Sequence, residues 1–193
     1  MSATHLSGDI RSRLDAVILD QPVDRVPEMV KAVLIDALQQ GALDLPAAFK
    51  TPRPDAYARR LFHRDPSGQY TMVVMTWGPG QKTALHDHAG IWCVECVYQG
   101  RIAVTSYSVR GGNPETGVVQ FERETEIVAG PGEAGALIPP FEYHVIANID
   151  PTPSVTIHVY GGEMDHCHIF NPVSGGHRRE YRELSYTPMS VGA

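Results

Sequence analysis

No run of lysine and arginine occurs anywhere in this chain, and its formal charge is −6 at pH 7. Long apolar stretches are missing as well: no window approaches the ~18 consecutive apolar residues of a membrane-spanning helix. The opening segment, Met1 to Asp15, lacks the apolar centre of a secretion signal. Cysteine is scarce, with Cys93, Cys96 and Cys167 the only three. That number makes a disulfide framework improbable and fits a reducing compartment. These absences argue against a nucleic-acid footprint and against a polybasic or spanning membrane anchor. The expectation is a soluble cytoplasmic protein with no obligatory protein partner. What the chain does have is ordinary globular content, 42% hydrophobic and 20% charged over 193 residues, enough for one domain with a sizeable core.

The first fifty residues read as helical. Leu6, Ile10, Leu14, Val17 and Ile18 recur at spacings of three and four and share one helix face. Val30, Val33, Leu34, Ala37 and Leu38 form a second stripe, with Pro27 suited to a first turn and Gly41 to a stop. The proline-rich stretch from Leu43 to Ala56 reads as a connector. From Tyr57 onward the pattern changes to short strands, each bounded by Gly, Pro, Asn or Asp: Tyr70–Trp77, Trp92–Tyr98, Arg101–Val109, Glu126–Ala129, Ala136–Ile138, Val145–Ala147 and Val155–Tyr160. Many short strands with frequent turns imply a sandwich or small barrel. The expected architecture is mainly β: a helical segment over residues 1–52 packed on an antiparallel barrel over residues 53–187. The tail from Pro188 to Ala193 is expected to fray.

The most informative stretch runs from Gly80 to Gly100. On a strand, residues two apart face the same way, so His86 and His88 can converge on one ion while Asp87 points away. Two polar residues on a solvated strand would be the blander account, and for an isolated pair it would win. The flanking spacing changes that balance. Gly80, five residues, His86 and His88, four residues, position 93, six residues and Gly100 resemble the first cupin motif. Pro139, His144 and Asn148 resemble the second, with Phe141 in place of a usual glycine, and His144 is taken as the third ligand. Most cupins carry a glutamate ligand at the position of Cys93. Glu95 stands two residues out of that register, and bringing it in is expected to require a bulge. Three neutral imidazoles leave an ion its full charge and open positions, which suits a thiolate and dioxygen. A tetrahedral zinc site remains an alternative.

Farther along, Thr156, His158 and Tyr160 alternate with Val155, Ile157 and Val159, so the polar three share a strand face. A hydroxyl–imidazole–phenol chain there can orient groups beside a metal; a water-bathed strand face is the alternative. Arg59 or Arg60 offers a planar fork that fits a carboxylate, although exposed charge is the commoner role. His5, His63, His166 and His177 lack partner spacing and read as surface or structural, and Cys96 reads as a small buried hydrophobe.

Several blocks together resemble the cysteine dioxygenase family: Tyr57, Arg59 and Leu61; Trp77, Gly78 and Gly80; His86, His88, Cys93 and Gly100; His144; Thr156, His158 and Tyr160; and Cys167, His168 and Phe170. The resemblance covers about Asp55 to Tyr181. It implies a cupin-type barrel preceded by helices, Fe(II) on His86, His88 and His144, and oxidation of L-cysteine by dioxygen to cysteine sulfinic acid. It implies further that Arg59 grips the substrate carboxylate, with Tyr57 near it and Cys167 and His168 lining the pocket. Tyr160 would lie beside the iron, supported by His158 and Thr156, with Thr156 where the family has serine. Animal members join the cysteine at position 93 to this tyrosine, which implies a Cys93–Tyr160 thioether. Related 3-mercaptopropionate dioxygenases carry glutamine at the Arg59 position and an arginine after the tyrosine. Met164 to His168 contains no arginine, which favours cysteine. Alternatives are a dioxygenase of another thiol acid such as 3-mercaptopropionate or mercaptosuccinate, a zinc or manganese isomerase, and a non-enzymatic ligand-binding cupin.

Overall fold

A computed structural model describes residues 7–19, 21–140 and 142–189. Leu6, His5, Phe141 and residues 190–193, about which expectations were stated above, lie outside the described residues. Two helices come first, α1 (Gly8–Leu19) and α2 (Val26–Gln39), then a short 3-10 turn at Ala47–Phe49. Pro27 sits in the first turn of α2 and buries its ring. Gly41, with φ of 64°, takes the left-handed conformation that ends the helix. Ten strands follow: β1 (Ala58–Arg64), β2 (Thr71–Trp77), β3 (Cys93–Gln99), β4 (Ile102–Gly112), β5 (Val118–Ala129), β6 (Ala134–Leu137), β7 (His144–Asn148), β8 (Ser154–Tyr160), β9 (His166–Val173) and β10 (Gly176–Glu183). They form two antiparallel five-stranded sheets, in the orders β1-β2-β8-β3-β6 and β7-β4-β5-β10-β9. Together these make the cupin-type barrel with its helical cap.

The first sheet has apolar residues on both faces because both faces are covered. Met72 and Val74 of β2, Val94 and Cys96 of β3, and Val155, Ile157 and Val159 of β8 pack outward with Ile10, Leu14, Val30, Leu34 and Ala37 of the helices. Phe49, in the stretch read as a mere connector, joins the same cluster. Each such Leu, Ile or Val side chain removed from water stabilises the fold by roughly 1.5–3 kcal/mol. The alternating residues Val73, Met75 and Trp77 of β2, Cys93 and Val97 of β3, and Tyr160 of β8 point into the barrel. On β8 the usual polarity is therefore inverted: its aliphatic residues face the helices, and Thr156, His158 and Tyr160 are buried in the interior. Water does not bathe that face.

Strands β9, β10 and the first half of β5 lie outside the strands expected from the sequence. Charged residues crowd β10, with five among the eight residues of Gly176–Glu183, so no apolar alternation is visible there. Two motif residues act on the barrel's ends. Gly100 turns the chain between β3 and β4 with φ of 75°, and a Cβ there would lie 2.3 Å from Ser154 Oγ. Asn148 donates through Nδ2 to the carbonyls of Trp77, Gly78 and Thr152, while its Oδ1 accepts from Asp150 N–H and Ser154 O–H.

Candidate metal centre and pocket

His86 and His88 do not lie in a regular strand. Their segment is extended and tied by single bridges, His86 to His144 and His86 to Ile169. Alternation still operates within it. Asp87 turns outward, where its carboxylate accepts the backbone N–H groups of Ala89 and His168. His86 and His88 turn inward toward His144 at the start of β7. Ring centroids are 5.4 Å apart for His86–His88, 4.4 Å for His86–His144 and 5.0 Å for His88–His144. One nitrogen of each lies within 4.8 Å of the others.

Backbone carbonyls set two of the tautomers. Nδ1 of His144 lies 2.7 Å from Glu142 O, and Nδ1 of His86 lies 3.1 Å from both Ala84 O and His144 O. A carbonyl can only accept, so each Nδ1 carries the proton and each Nε2 offers a lone pair. Nε2 of His144 is buried with no hydrogen-bond partner. Burial pulls His86 down to about 3 and His88 well below its ordinary value, and the neighbouring His144 adds to both shifts. Three converging imidazoles, two of them held uncharged by burial, fit a divalent transition metal.

The polar face of β8 begins beside this cluster. Trp77 Nε1–H donates to Thr156 Oγ1 at 2.9 Å, and Thr156 Oγ1 lies 2.7 Å from His158 Nε2. The other imidazole nitrogen, Nδ1, faces Glu95 Oε1 at 3.3 Å and Cys93 Sγ at 3.9 Å. Both nitrogens are thus engaged away from Tyr160, whose ring stacks on His158 with centroids 6.0 Å apart. Of the expected hydroxyl–imidazole–phenol chain, the structure forms the first link. Cys93 and Tyr160 are direct partners across β3 and β8. Burial first, and the Glu95 charge second, push the Cys93 thiol well above its usual range; burial and Cys93 do the same to Tyr160.

The expectation for Glu95 needs correction. Between Cys93, paired with Tyr160, and Glu95, paired with His158, the register is unbroken. Simple two-residue alternation therefore turns both inward with no bulge. Glu95 is 6% exposed, and its Oε1 lies 3.5 Å from His144 Nε2. Burial alone would raise this carboxyl, but His158 and His144 beside it hold it well below the usual carboxylate range. The same contact holds His144 up against the opposite pull of its own burial.

A cavity of about 480 Å³ opens from these residues. Arg59, Tyr57, Tyr160 and Cys167 line it with His86, His88, Glu95 and His158. Arg59 is buried: Nη2 donates to Met164 O at 2.6 Å, while Nη1 has no partner. Its guanidinium stacks on Tyr186, 4.9 Å from the ring centre. Arg60 points to the opposite face, donating to Thr51 O and Thr76 Oγ1. Alternation along β1 thus separates the two arginines and leaves Arg59 in the pocket. Tyr57 packs on Trp77 with ring centroids 4.6 Å apart. His168 does not join Cys167 in the cavity. On β9 consecutive side chains face opposite ways, and His168 turns outward to Asp87, with Nδ1 3.0 Å from Oδ2, and to Arg179. Residues 184–188, unnoticed in the sequence, wall the cavity: Thr187 N–H donates to Arg59 O at 2.7 Å, and Arg59 N–H donates to Thr187 Oγ1 at 3.0 Å. His63 is buried, His166 stacks on Tyr181, and His177 packs on Phe121, all away from the cavity. Cys96 faces the helices. Among the described residues no helix is long and apolar enough to cross a membrane.

Comparison with known proteins agrees with this arrangement. The chain is 25% identical to cysteine dioxygenase type 1 of Homo sapiens over 120 residues, 62% of this chain and 58% of that protein. It is 22% identical to the Danio rerio protein of the same name over 122 residues, 63% and 59% of the two chains. The match thus spans less than two thirds of these curated relatives. Among solved structures, a protein from Thermus thermophilus aligns with a TM-score of 0.47 at 18% identity, covering 62% of this chain and 96% of that one. A conserved protein with a double-stranded β-helix domain from Klebsiella pneumoniae aligns with a TM-score of 0.43 at 20% identity, covering 63% and 91%. The model of the family cysteine dioxygenase type I matches residues 24–172, most of the chain, and the chain belongs to that family.

Proposed function

We propose that this member of the cysteine dioxygenase family is a cytoplasmic, iron-dependent thiol dioxygenase whose substrate is L-cysteine. The observation that carries the reading is the convergence of His86, His88 and His144 beside a cavity lined by the first two and by Arg59, whose Nη1 is unpaired. A ferrous ion held by the three histidines would activate dioxygen toward a thiolate sulfur. The overall change is balanced without a reductant: a thiol and one dioxygen become a sulfinic acid, both oxygen atoms ending on sulfur.

The chain's own residues position the substrate. Nη1 of Arg59 binds the carboxylate, and the stacking on Tyr186 and the bond to Met164 O keep the guanidinium from following the ligand out. Tyr160 lies between Arg59 and the histidines, its ring 5.9 Å from the guanidinium carbon and 5.7 Å from the His88 ring centre. From there its phenol stands as a hydrogen-bond donor at the reacting end of the substrate. Thr156 and His158 set the polar wall behind it. Cys167 and Tyr57 shape the apolar side. Holding the thiol in such a frame contributes several kcal/mol to lowering the barrier.

The proposal includes a Cys93–Tyr160 thioether, formed when dioxygen accepts the two hydrogens lost from the thiol and the ring. The partners' direct pairing across β3 and β8 supports it. The test of function is reconstitution with Fe(II), followed by oxygen uptake and product identification with cysteine, 3-mercaptopropionate and mercaptosuccinate supplied separately. Stoichiometric cysteine sulfinic acid is expected. A faster conversion of one of the other acids reassigns the substrate, and inertness toward all three removes the dioxygenase reading.

A further inference from the structure

We propose that Glu95 is a fourth protein ligand to the ion, an inference that rests on the reading above that His86, His88 and His144 hold a metal. Glu95 and His144 meet in a buried contact that calls for a cation. His144 Nε2 presents a lone pair, because its Nδ1 proton is committed to Glu142 O. Facing it 3.5 Å away is the carboxylate oxygen Oε1 of Glu95. Both atoms are buried, and neither has a hydrogen-bond partner. A carboxylate oxygen facing an imidazole nitrogen away from water calls for a cation between them, either a proton on Nε2 or a metal ion.

The spacing suits that cation. With ligand bonds of about 2.1 Å, two donors on one ion stand about 3.0 Å apart at a right angle and about 3.4 Å apart at a tetrahedral one. The observed 3.5 Å is within a few tenths of this range. Glu95 also falls in a second group with His88 and Cys93, one potential ligand atom of each lying within 4.8 Å of the others, and this group shares His88 with the histidine cluster.

The surroundings supply the outer support that a ligating carboxylate requires. An indole N–H can only donate, so Thr156 Oγ1 accepts from Trp77 and turns its own hydrogen to His158 Nε2. The remaining imidazole proton is then on Nδ1, 3.3 Å from Glu95 Oε1. In this arrangement Trp77, Thr156 and His158 form a line whose last nitrogen faces the carboxylate at 3.3 Å without completing a hydrogen bond. With Glu95 beside the three histidines, a bound ion would have one position fewer for substrate than the histidines alone would leave.

The test uses the full chain, stripped of metal and titrated with Mn(II), together with a crystal structure of the Mn(II)-loaded wild type. A Glu95 oxygen within about 2.3 Å of the ion is expected, in the range of metal–carboxylate bonds. Glu95→Gln keeps the shape and should weaken Mn(II) binding about 100-fold, and His158→Gln about 10-fold, as removal of an outer partner does. Mn(II) bound by the three histidines with the carboxylate beyond about 3 Å overturns the proposal and leaves the metal reading intact. So does an affinity unchanged in Glu95→Gln. A wild-type chain that binds neither Mn(II) nor Fe(II) removes the metal reading itself. The crystal distance decides the matter even where a variant fails to fold.

Discussion

Arg59 offers the sharpest test of substrate choice, through Arg59→Gln. One arm of the guanidinium is already committed to Met164 O, and the other, Nη1, is buried and unpaired in a residue only 6% exposed. A substrate carboxylate can therefore gain one direct charge-assisted hydrogen bond there, rather than the two-pronged grip that the planar fork allows in general. Such a bond is worth about 1.5–3 kcal/mol. At about 1.4 kcal/mol per tenfold, that is roughly 10- to 150-fold in kcat/KM. Loss of activity alone would be ambiguous, because Arg59 also stacks on Tyr186 and helps close the cavity. The informative quantity is a ratio, kcat/KM for cysteine over kcat/KM for cysteamine, which lacks the carboxylate. Wild type should favour cysteine, and Arg59→Gln should lower the ratio by about that 10- to 150-fold factor. Equal losses for both thiols would show that Arg59 holds the pocket and not the carboxylate.

Other outcomes follow from the same geometry. In the metal-free protein, His63, His86 and His88 have folded-state pKa values below their ordinary one, chiefly through burial, and His144 has one above it. The unfolded chain takes up protons first at the three lowered groups, so they cost stability as pH falls below about 6.5, each by up to about 1.4 kcal/mol per pH unit; His144 opposes them by the same rule. Urea midpoints should therefore be lower at about pH 5.5 than at about pH 7, and an equal or higher midpoint contradicts the assignment. Asn148→Leu removes two amide hydrogens shared among three carbonyls and two accepted hydrogen bonds and strands buried carbonyls, which should cost about 3–5 kcal/mol in equilibrium unfolding; a loss under about 1 kcal/mol would mean that water replaces the amide fully. For the thioether, intact mass should fall by two hydrogen atoms after turnover in wild type and remain unchanged in Cys93→Ser. Unmodified Cys93 and Tyr160 peptides from fully active enzyme count against the bond.

Much of this site was legible because its chemistry falls on strict periodicities. His86, Asp87 and His88 obey a two-residue alternation even though their segment forms only isolated bridges. Thr156, His158 and Tyr160 obey it on β8. Glu95 was misjudged because spacing within a motif was given more weight than alternation: Cys93 occupied the expected position, yet residues 93 and 95 necessarily share a face. The opposite slip placed His168 beside Cys167, although neighbours on a strand cannot both look inward. Which face of β8 is interior could not be read from the pattern, because the helices cover its aliphatic side. Strand β10 is hidden by its arginines and glutamates. The wall formed by residues 184–188 has no periodic signature at all; it depends on a backbone exchange between Arg59 and Thr187, residues far apart in the chain.

The hydrogen bond from Trp77 to Thr156 has a consequence for the imidazole two residues farther along β8. A hydroxyl pinned from one side by an indole loses its freedom to swivel, so His158 is left with a single tautomer. Replacing Trp77 by phenylalanine would release that rotor, and the ring would divide its time between two protonation patterns. Nitrogen NMR of labelled protein would then register a blend of imidazole signals where the native enzyme gives one sharp pair.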